Sequence, residues 1–340
     1  MKKKHFSLIL IVGLSVMLLL SIGAGFLVGY FFVRGMWAVS VPVFIALAIL
    51  LTIVLVIIRE KYNYAMLVPL ARLKVRLRTI NTGQFEKISI SKENAEMLPI
   101  VNEINEIAEN INALNKVRSE FFANASHELN TPLTYISGYA ELMEQGILVD
   151  KNKIVECGSK IREQAGRMEG LISDMLKLSK LENSQAEIVF DEVNIKELLG
   201  YIVETLKMQA LKRNIRVNVY CYQDIIISNE DLLKDILLNL VQNGVKYNKE
   251  NGSVNIIVKR IKKQIEITVA DTGLGMSKED SLRIFERFYR VDKSRSDKGG
   301  TGLGLAIAKH SAMKLDGTIT IESKLGEGTK FTVILPEKQL

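Results

Sequence analysis

A short run around one histidine holds the side chains with the clearest chemical potential. His127 is one of only three histidines in the chain, Glu128 adjoins it, and Thr131 follows four residues later. On a helix each residue turns about 100°, so Thr131 lies about 40° from His127 on the same face. The apolar Ala125 and Leu129 lie about 200° from His127, which directs the imidazole towards solvent. A nucleophile, a base and a hydroxyl that can orient water therefore share one exposed patch.

This patch alone leaves an ordinary interpretation open, because an exposed histidine on an amphipathic helix is a common surface residue. Pro132 comes directly after the patch, removes one helical hydrogen bond and is expected to bend the helix there. Other parts of the chain decide between the two interpretations.

A second set of polar residues forms a stripe on the predicted helix 231–247. Asn239, Asn243 and Lys246 follow one another at spacings of four and three, opposite an apolar face. Two amides and an ammonium are costly to bury without partners. Phosphate oxygens would supply such partners, and so would Mg²⁺, a hard cation that takes oxygen ligands. A solvated helix face is the alternative.

A glycine motif follows the predicted strand 265–270. Asp271 stands at the strand end, and Gly273 and Gly275 come after it in the run DTGLGM. A carboxylate in this place can accept a hydrogen bond from an exocyclic amine, and glycines let the backbone approach a flat ring closely. The motif therefore predicts a pocket for a flat ring that bears an amine.

A second glycine motif, with Gly300, Gly302 and Gly304, leads into an amphipathic helix whose free backbone N–H groups can bind phosphate. Gly304 is not followed by Lys-Ser/Thr and no strand leads directly into the motif, which argues against a Walker loop and a dinucleotide fold. Between the two motifs, aromatic residues and Arg290 precede the polar segment 292–298. This pattern predicts a mobile lid with an arginine that reaches phosphate; an ordinary surface loop is the alternative.

Composition places part of the chain in a membrane. The 340 residues are long enough for two or more domains, and they are 48% hydrophobic with a mean hydropathy of +0.14. Residues 1–80 hold 10 Lys and Arg against one acid, whereas the other 260 residues hold 35 against 37. The net charge of +7 therefore fits flanks that face anionic membrane lipid, and we expect no direct nucleic-acid partner.

Two uncharged apolar runs, 6–33 and 36–58, are each long enough to cross about 30 Å of hydrocarbon. A signal peptide is the alternative for the first run, although its apolar core would span only about 7 to 15 residues. Lysines before the first run and basic residues after the second predict that both termini are cytoplasmic. Only the turn at Arg34-Gly35 remains outside, so we predict that a stimulus arrives through the bilayer, a membrane partner or the cytoplasm.

Residues 59–112 are predicted to be a linker of two short helices separated by a break near Gly83. The second helix carries apolar residues at spacings of four and three: Ile100, Ile104, Ile107, Ile111 and Leu114, then Phe121. This heptad seam predicts a parallel dimeric coiled coil, with a helix packed within one chain as the alternative. Together with Pro69, the arrangement resembles a HAMP linker, the dimeric four-helix relay of bacterial membrane receptors.

Residues 113–186 are predicted to form an antiparallel helical hairpin whose second helix starts near Lys151. Two helices cannot bury these apolar faces alone, so we expect a homodimer with a four-helix bundle. In residues 187–340, helices alternate with β-rich runs at 188–190, 215–220, 254–260, 265–270, 317–323 and 329–335. This alternation predicts a layered α/β sandwich. The predicted whole is a multi-domain membrane protein.

Five motifs in order resemble those of the bacterial sensor histidine kinases of two-component systems. They are SHELNTPLT (H box), DILLNLVQNGVKYN (N box), DTGLGM (first glycine box), FERF (F box) and GTGLGL (second glycine box). Order and spacing agree from about residue 113 to the C-terminus. The resemblance implies ATP as the substrate, Mg²⁺ as the cofactor, the bacterial plasma membrane as the location, and a response-regulator aspartate as the phosphoryl acceptor.

By the same resemblance, His127 is the phosphoacceptor, Glu128 is its activating base, and Thr131 helps to orient water when the bundle dephosphorylates its partner. One residue departs from the pattern, because Asn130 stands where these kinases usually carry a basic residue. This change leaves the phosphoacceptor in place and weakens the attraction of that face for phosphate or an acidic partner.

The resemblance also assigns the nucleotide site. Asn243 would ligate Mg²⁺, and Asn239 and Lys246 would contact the phosphates. Asp271 would read adenine, and Arg290 would stabilise the charge of the transferring group. The glycines would shape the pocket: Gly273, Gly275, Gly300, Gly302 and Gly304.

Three functions remain open at this point. The first is a kinase, favoured because Asn239 stands where related ATPases carry a catalytic Glu, so that water is poorly activated and phosphate goes to histidine. The second keeps the fold but acts mainly as a phosphatase of the response regulator. The third is a membrane-bound adaptor that binds nucleotide only structurally, which degraded motifs would favour; these motifs are intact.

Overall fold

The computed structural model describes residues 15, 18, 19, 21–30, 32–62, 87–89, 98–146, 150–183, 188–291 and 300–338. The chain divides into two compact units, Met1–Glu120 and Phe121–Leu340. Three predictions fall on residues outside this part: the start of the first apolar run, most of the linker, and the polar lid segment.

The first unit contains the apolar helix α1, Trp37–Tyr62. Among the residues that the structure describes, α1 alone is long and apolar enough to cross a membrane, over Val41–Glu60. Residues 21–30 are also helical, and a turn at Gly35 (φ 65°) separates them from α1. The second predicted span thus coincides with a helix, while the first lies only partly within the described residues and stays a prediction.

Helix α2, Leu98–Glu144, runs for 47 residues and contains Pro132. It continues for three turns beyond this proline, so the proline does not end the helix. In this one chain the predicted seam is largely uncovered: Ile100, Ile107 and Leu114 are exposed. The exposed seam leaves a face that a second copy can cover.

Within the second unit, α3 (Lys151–Asn183) forms the second arm of the predicted helical hairpin. A five-stranded sheet follows, in the order β2-β4-β5-β7-β6, with β2 parallel to β4 and every other pair antiparallel. Its strands are β2 Arg216–Cys221, β4 Ser253–Ile261, β5 Gln264–Asp271, β6 Thr318–Lys324 and β7 Gly328–Pro336. The five corresponding strand predictions are confirmed to within one or two residues.

A separate two-stranded ribbon corrects the sixth strand prediction. The predicted strand 188–190 is wrong, because the strand β1 begins only at Asp191 and ends at Asn194. It pairs antiparallel with β3, Ile225–Ser228, which the sequence analysis missed. Only Val193 of β1 is buried, so the strand is set by pairing with β3 and not by its own composition.

Four helices complete this domain: α4 Ile195–Leu211, α5 Glu230–Lys246, the short α6 Lys278–Arg283 and α7 Gly304–Lys314. The apolar faces of α4, α5 and α7 pack with the sheet in one core, and β4 alternates buried and half-buried residues over most of its length. This is the predicted layered α/β arrangement, with helices on a sheet. The ends of α5, β5 and α7 carry the predicted nucleotide motifs.

A second apolar cluster joins the helical hairpin to this α/β domain. Ala125, Leu171 and Leu178 of the hairpin pack with Phe288, Leu303, Ala306 and Ile307 of the α/β domain. The ring of Phe121 lies 5.5 Å from that of Phe288, centre to centre. Burial of these side chains stabilises the contact between the two domains through the hydrophobic effect.

Candidate functional site

The structure places the histidine patch as its spacing predicts. His127 and Thr131 are exposed on α2, Glu128 is half-buried, and Ala125 on the opposite face is only 4% exposed. The hydroxyl of Thr131 donates a hydrogen bond to the backbone carbonyl of His127 over 3.1 Å. This bond uses the hydroxyl proton, so the lone pairs of the Thr131 oxygen are directed to solvent beside the imidazole.

The polar stripe lies along one side of α5. Asn229 caps the helix by accepting a hydrogen bond from the backbone N–H of Leu232, which fixes where the helix begins. Leucine and isoleucine side chains anchor the opposite side in the core, leaving Asn239, Asn243 and Lys246 half-buried. The Asn239 amide donates to the backbone carbonyl of residue 235, so its oxygen is the group presented outwards.

Asp271 ends β5, where the sheet edge orients its carboxylate. One oxygen, Oδ1, accepts hydrogen bonds from the backbone N–H groups of Gly273 (2.8 Å) and Thr329 (3.2 Å). Burial raises the pKa of Asp271 to about 6, although these two bonds act in the opposite direction. At neutral pH the group is an anchored carboxylate whose Oδ2 takes neither bond and can accept one from a ligand amine.

The first glycine motif needs its glycines for space. A β-carbon on Gly273 would stand 2.6 Å from the carbonyl oxygen of Tyr247. Gly275 has a φ of 61° and packs against the backbone of Lys324, so side chains are excluded by both conformation and space. The motif therefore packs closely between the end of α5 and the β6–β7 turn.

The second glycine motif packs directly on the polar stripe. A β-carbon on Gly304 would overlap the side-chain oxygen of Asn239, and one on Gly300 would overlap the ammonium of Lys246. Gly302 has a φ of 70°, and its carbonyl accepts a hydrogen bond from the N–H of Phe288 (2.9 Å). Helix α7 begins at Gly304, so its N-terminus faces the stripe. The fold thus gathers three separate motifs into one site.

The phosphate end of this site is strongly positive. Burial, together with the nearby charges of Arg290 and Arg167, lowers the pKa of Lys246 to about 8. Arg290 was predicted for the site, whereas Arg167 on α3 was missed, because nothing in its local sequence connects it to the nucleotide motifs. An ATP triphosphate fits this cluster of cations.

Mg²⁺ is also compatible with the donor set. The amide oxygen of Asn243 is a hard ligand, and the described residues contain no group of three or more His, Cys, Asp and Glu that could hold a metal. Mg²⁺ typically keeps several waters and binds through one or two protein groups plus substrate phosphates. A single amide beside the phosphate end suits this mode.

Asn248 was not predicted for the site, and it supports the site through hydrogen bonds to the segments on either side of it. Its amide is buried and donates to the carbonyls of Gly244 (2.8 Å) and Ser253 (3.0 Å). The hydroxyl of Thr272 donates to its oxygen over 3.2 Å. Asn248 therefore ties the end of α5 to the strand that carries Asp271. Its position in the sequence, two residues beyond the polar stripe, could have indicated this supporting role.

Comparison with known families defines the class of each domain. Residues 117–184 match the His Kinase A (phospho-acceptor) domain, and residues 228–339 match the histidine kinase-, DNA gyrase B- and HSP90-like ATPase. Each predicted site residue lies inside one of these two ranges. The chain thus combines a phosphoacceptor domain with an ATPase domain.

Similar proteins identify the family. The sensor-like histidine kinase SenX3 of Mycobacterium tuberculosis is 35% identical over 224 residues, which are 64% of this chain and 54% of SenX3. A structure of ShkA in complex with AMPPNP is 28% identical, with a TM-score of 0.50, and the match covers 65% of this chain and 46% of ShkA. The chain belongs to the bacterial two-component sensor histidine kinases.

A third similarity concerns the fold alone. The histidine kinase ThkA, solved in complex with the response regulator protein TrrA, is 23% identical with a TM-score of 0.53, and the match covers 66% of this chain and 64% of ThkA. The chain spans about half the length of the first curated relatives it matches.

Proposed function

We propose that this chain is a membrane-anchored homodimeric kinase that phosphorylates His127 from ATP and passes the phosphoryl group to an aspartate of a response regulator. The observation that carries the proposal is the packing of the second glycine motif on Asn239 and Lys246, beside an anchored Asp271. The two domain matches support an ATP-binding domain that serves a phosphoacceptor histidine, and the ThkA–TrrA complex supports a response regulator as partner.

The first step is an in-line displacement at the γ-phosphorus. An imidazole nitrogen of His127 forms the new P–N bond while the bond to the bridging oxygen breaks, and ADP leaves. Glu128 accepts the imidazole proton, so the histidine is neutralised as it reacts. In the second step, an aspartate oxygen of the regulator displaces the histidine from phosphorus.

The α/β domain positions the nucleotide for this reaction. Asp271 accepts a hydrogen bond from the adenine amine through Oδ2. Asn243 ligates Mg²⁺, which neutralises phosphate charge when it is bound. Lys246, Asn239 and Arg290 contact the phosphates. Positioning and charge neutralisation supply most of the catalysis, as in other phosphoryl transfers.

A second candidate function, phosphatase activity, is favoured by the direction of the Thr131 hydroxyl. Its proton is donated to the His127 carbonyl, so its oxygen can accept a hydrogen bond from a water molecule beside the imidazole. Thr131→Ala is expected to slow dephosphorylation of the regulator and to leave phosphorylation of His127 intact. Dephosphorylation by the variant at the wild-type rate would remove this second function.

We assign residues 1–58 to a two-span membrane hairpin, 59–112 to a HAMP-like linker, 113–186 to the dimerisation and phosphotransfer domain, and 187–340 to the ATP-binding domain. Helix α1 supports the second span. Both termini and the catalytic domains are cytoplasmic in this arrangement, at the bacterial plasma membrane.

Contacts of Lys87 and Ile88 with α2 support the HAMP-like linker. The buried Ile88 donates its backbone N–H to Asn105 Oδ1 (2.9 Å), and Asn105 Nδ2 donates back to the Ile88 carbonyl (3.0 Å). Lys87 pairs with Glu109 one turn further along α2 at 3.2 Å. A connector held alongside its second helix is what a helix–connector–helix linker requires.

The dimer is supported by uncovered apolar residues on both hairpin helices. Leu133 and Tyr135 on α2 are 49% and 55% exposed, and Val155 and Leu176 on α3 are 65% and 60% exposed. Such faces are covered by a second copy in a four-helix bundle.

The test uses the full chain in lipid nanodiscs with radiolabelled ATP. Acid-labile label is expected on the wild type and on His5→Gln, a matched control that changes another of the three histidines. His127→Gln and Asn243→Asp are expected to lose the label. Label that persists in His127→Gln would contradict the assignment. Offering the labelled chain to every response regulator of the organism would then show which partner accepts fastest.

A further inference from the structure

Helix α3 of the phosphotransfer domain reaches the second glycine motif of the ATP-binding domain. The hydroxyl of Thr301 donates a hydrogen bond to the carboxylate of Asp174 on α3, over 3.1 Å. One turn further along α3, Lys177 pairs with Asp235 of the ATP-binding domain at 2.6 Å. On α3 these two contacts lie between Leu171 and Leu178, which belong to the apolar cluster that joins the domains, so this side of α3 is an interface.

Arg167 lies on the same side of α3. It precedes Asp174 by seven residues, which is about 20° short of two full turns and about 10 Å along the axis. Leu171, between them, is 3% exposed and packs with Leu303 and Ile307 of the ATP-binding domain. Arg167 itself is half-buried, as expected for a residue at the edge of this interface.

The phosphate end of the nucleotide site lies beside this edge. Thr301, which bonds α3, directly follows Gly300, and Gly300 packs against the ammonium of Lys246. The long side chain of Arg167 is close enough to Lys246 for its charge to lower the pKa of that ammonium, as does the charge of Arg290. Cations from both domains therefore converge where phosphate would bind. The neighbouring carboxylate, Asp174, accepts a hydrogen bond from Thr301. Burial raises the pKa of that carboxyl group, while this bond and the charge of Lys177 both act to lower it.

We infer that Arg167 contacts the phosphates of bound ATP from the phosphotransfer domain, so that nucleotide binding and packing of the ATP-binding domain on α3 stabilise each other. An anion offsets the repulsion among three gathered cations, and a guanidinium suits phosphate oxygens through paired N–H donors. Because such coupling is reciprocal, packing on α3 also raises the affinity for nucleotide. This inference rests on the proposed nucleotide site.

The test measures binding of Mg·AMPPNP to the full chain in nanodiscs by calorimetry. Arg167→Ala is expected to weaken binding by about 5-fold to about 20-fold, within the range of couplings between sites. Arg162→Ala, an exposed arginine about 140° away on α3, is the matched control and should change affinity less than about twofold. Arg167→Lys should recover part of the loss.

Two further measurements separate a phosphate contact from a general structural effect. Adenosine, which lacks phosphates, should bind equally well to wild type and Arg167→Ala. In an Asp174→Ala background, which loosens the contact with Thr301, Arg167→Ala should cost less than about twofold, since the two residues act together. Equal loss of adenosine binding, or an undiminished cost in the Asp174→Ala background, would overturn the inference.

The outcomes also distinguish this inference from the proposed function. A wild-type chain that fails to bind Mg·AMPPNP would remove both. If the wild type and Arg167→Ala bind Mg·AMPPNP with equal affinity, only the proposed role of Arg167 is removed.

Discussion

Gly304 and Asn239 lie in contact, with no room for a β-carbon between the first residue of α7 and the side-chain oxygen of Asn239 on α5. This contact joins two motifs that are far apart in the sequence, and it brings the N-terminus of one helix against the polar stripe of another. Backbone N–H groups at a helix N-terminus favour anions. The phosphate end of the site therefore requires a glycine at position 304, because a larger residue would overlap the side chain of Asn239.

Replacing Gly304 with Ala is expected to weaken Mg·AMPPNP binding by at least about tenfold, because the methyl group displaces Asn239 from the phosphate end. Overpacking should also lower the free energy of unfolding by about 1 to 3 kcal/mol. Calorimetry and denaturant unfolding measure the two effects. Gly200→Ala on the exposed face of α4, where an added β-carbon would meet no atom within 4 Å beyond the local helix backbone, is the matched control and should stabilise the fold by about 0.5 to 1 kcal/mol. Unchanged nucleotide affinity in Gly304→Ala would contradict the contact.

The depressed pKa of Lys246 predicts that nucleotide affinity falls with rising pH. The ammonium has a pKa of about 8, so it loses its proton between pH 7 and 9. Phosphate favours the charged form, so binding raises this pKa and takes up a proton. Affinity should therefore drop by up to about tenfold across these two pH units.

Calorimetry in buffers of different ionisation enthalpy would detect the proton uptake. Lys246→Arg keeps its charge throughout this range and should show a flat profile. An equally flat profile in the wild type would show that Lys246 is not the titrating group.

The raised pKa of Asp271 predicts a pH-dependent cost to stability. Its folded pKa is about 6 against an ordinary 3.8, so the folded state holds the proton more tightly. The stabilisation of the folded state by this tighter proton binding is fully present below about pH 4 and is lost as the pH rises through 6. Asp271→Asn should therefore become more stable relative to the wild type as the pH rises, by at most about 3 kcal/mol at neutrality.

The same variant should lose nucleotide affinity, because an amide donor no longer matches the adenine amine. Unfolding free energies at pH 5 and pH 7.5, compared with those of the exposed control Asp224→Asn, test the stability part. A difference from wild type that shrinks with rising pH would refute the assigned pKa direction.

Sequence patterns predicted those parts of the molecule whose periodicity and local chemistry agree. The helix bearing His127, the stripe on α5 and five strands of the sheet follow from alternation and helical spacing alone. The strand β1 could not be predicted, because an acidic tetrapeptide becomes a strand only by pairing with β3. Its pairing depends on residues more than thirty positions away.

Residues that act across the domain interface were also beyond sequence reasoning. Arg167 and Asp174 belong to an ordinary amphipathic helix. Lys246, whose pKa the charge of Arg167 lowers, and Thr301, which bonds Asp174, lie far along the chain. Only the folded arrangement brings them together. The motifs therefore revealed the two chemical sites, whereas the surface that connects them required the structure.

Glu182, near the end of α3, is predicted to hold the ATP-binding domain against the hairpin. Its carboxylate pairs with Arg287, and Nε2 of His310 on α7 lies 3.4 Å away. These groups are only 22% to 28% exposed, so their attraction is less screened than that of a surface pair.

Replacing Glu182 with Gln removes the charge while keeping the shape, and it should weaken the domain contact by about 1 kcal/mol. The expected result is faster hydrogen exchange in α7 of the nucleotide-free chain, because this helix packs on α3 through its buried face. Glu163→Gln is the matched control, since its pair with Lys160 lies within α3 and joins no second domain. Equal exchange in the two variants would show that the Glu182 pair does not hold the domains together, and that the apolar cluster alone is sufficient.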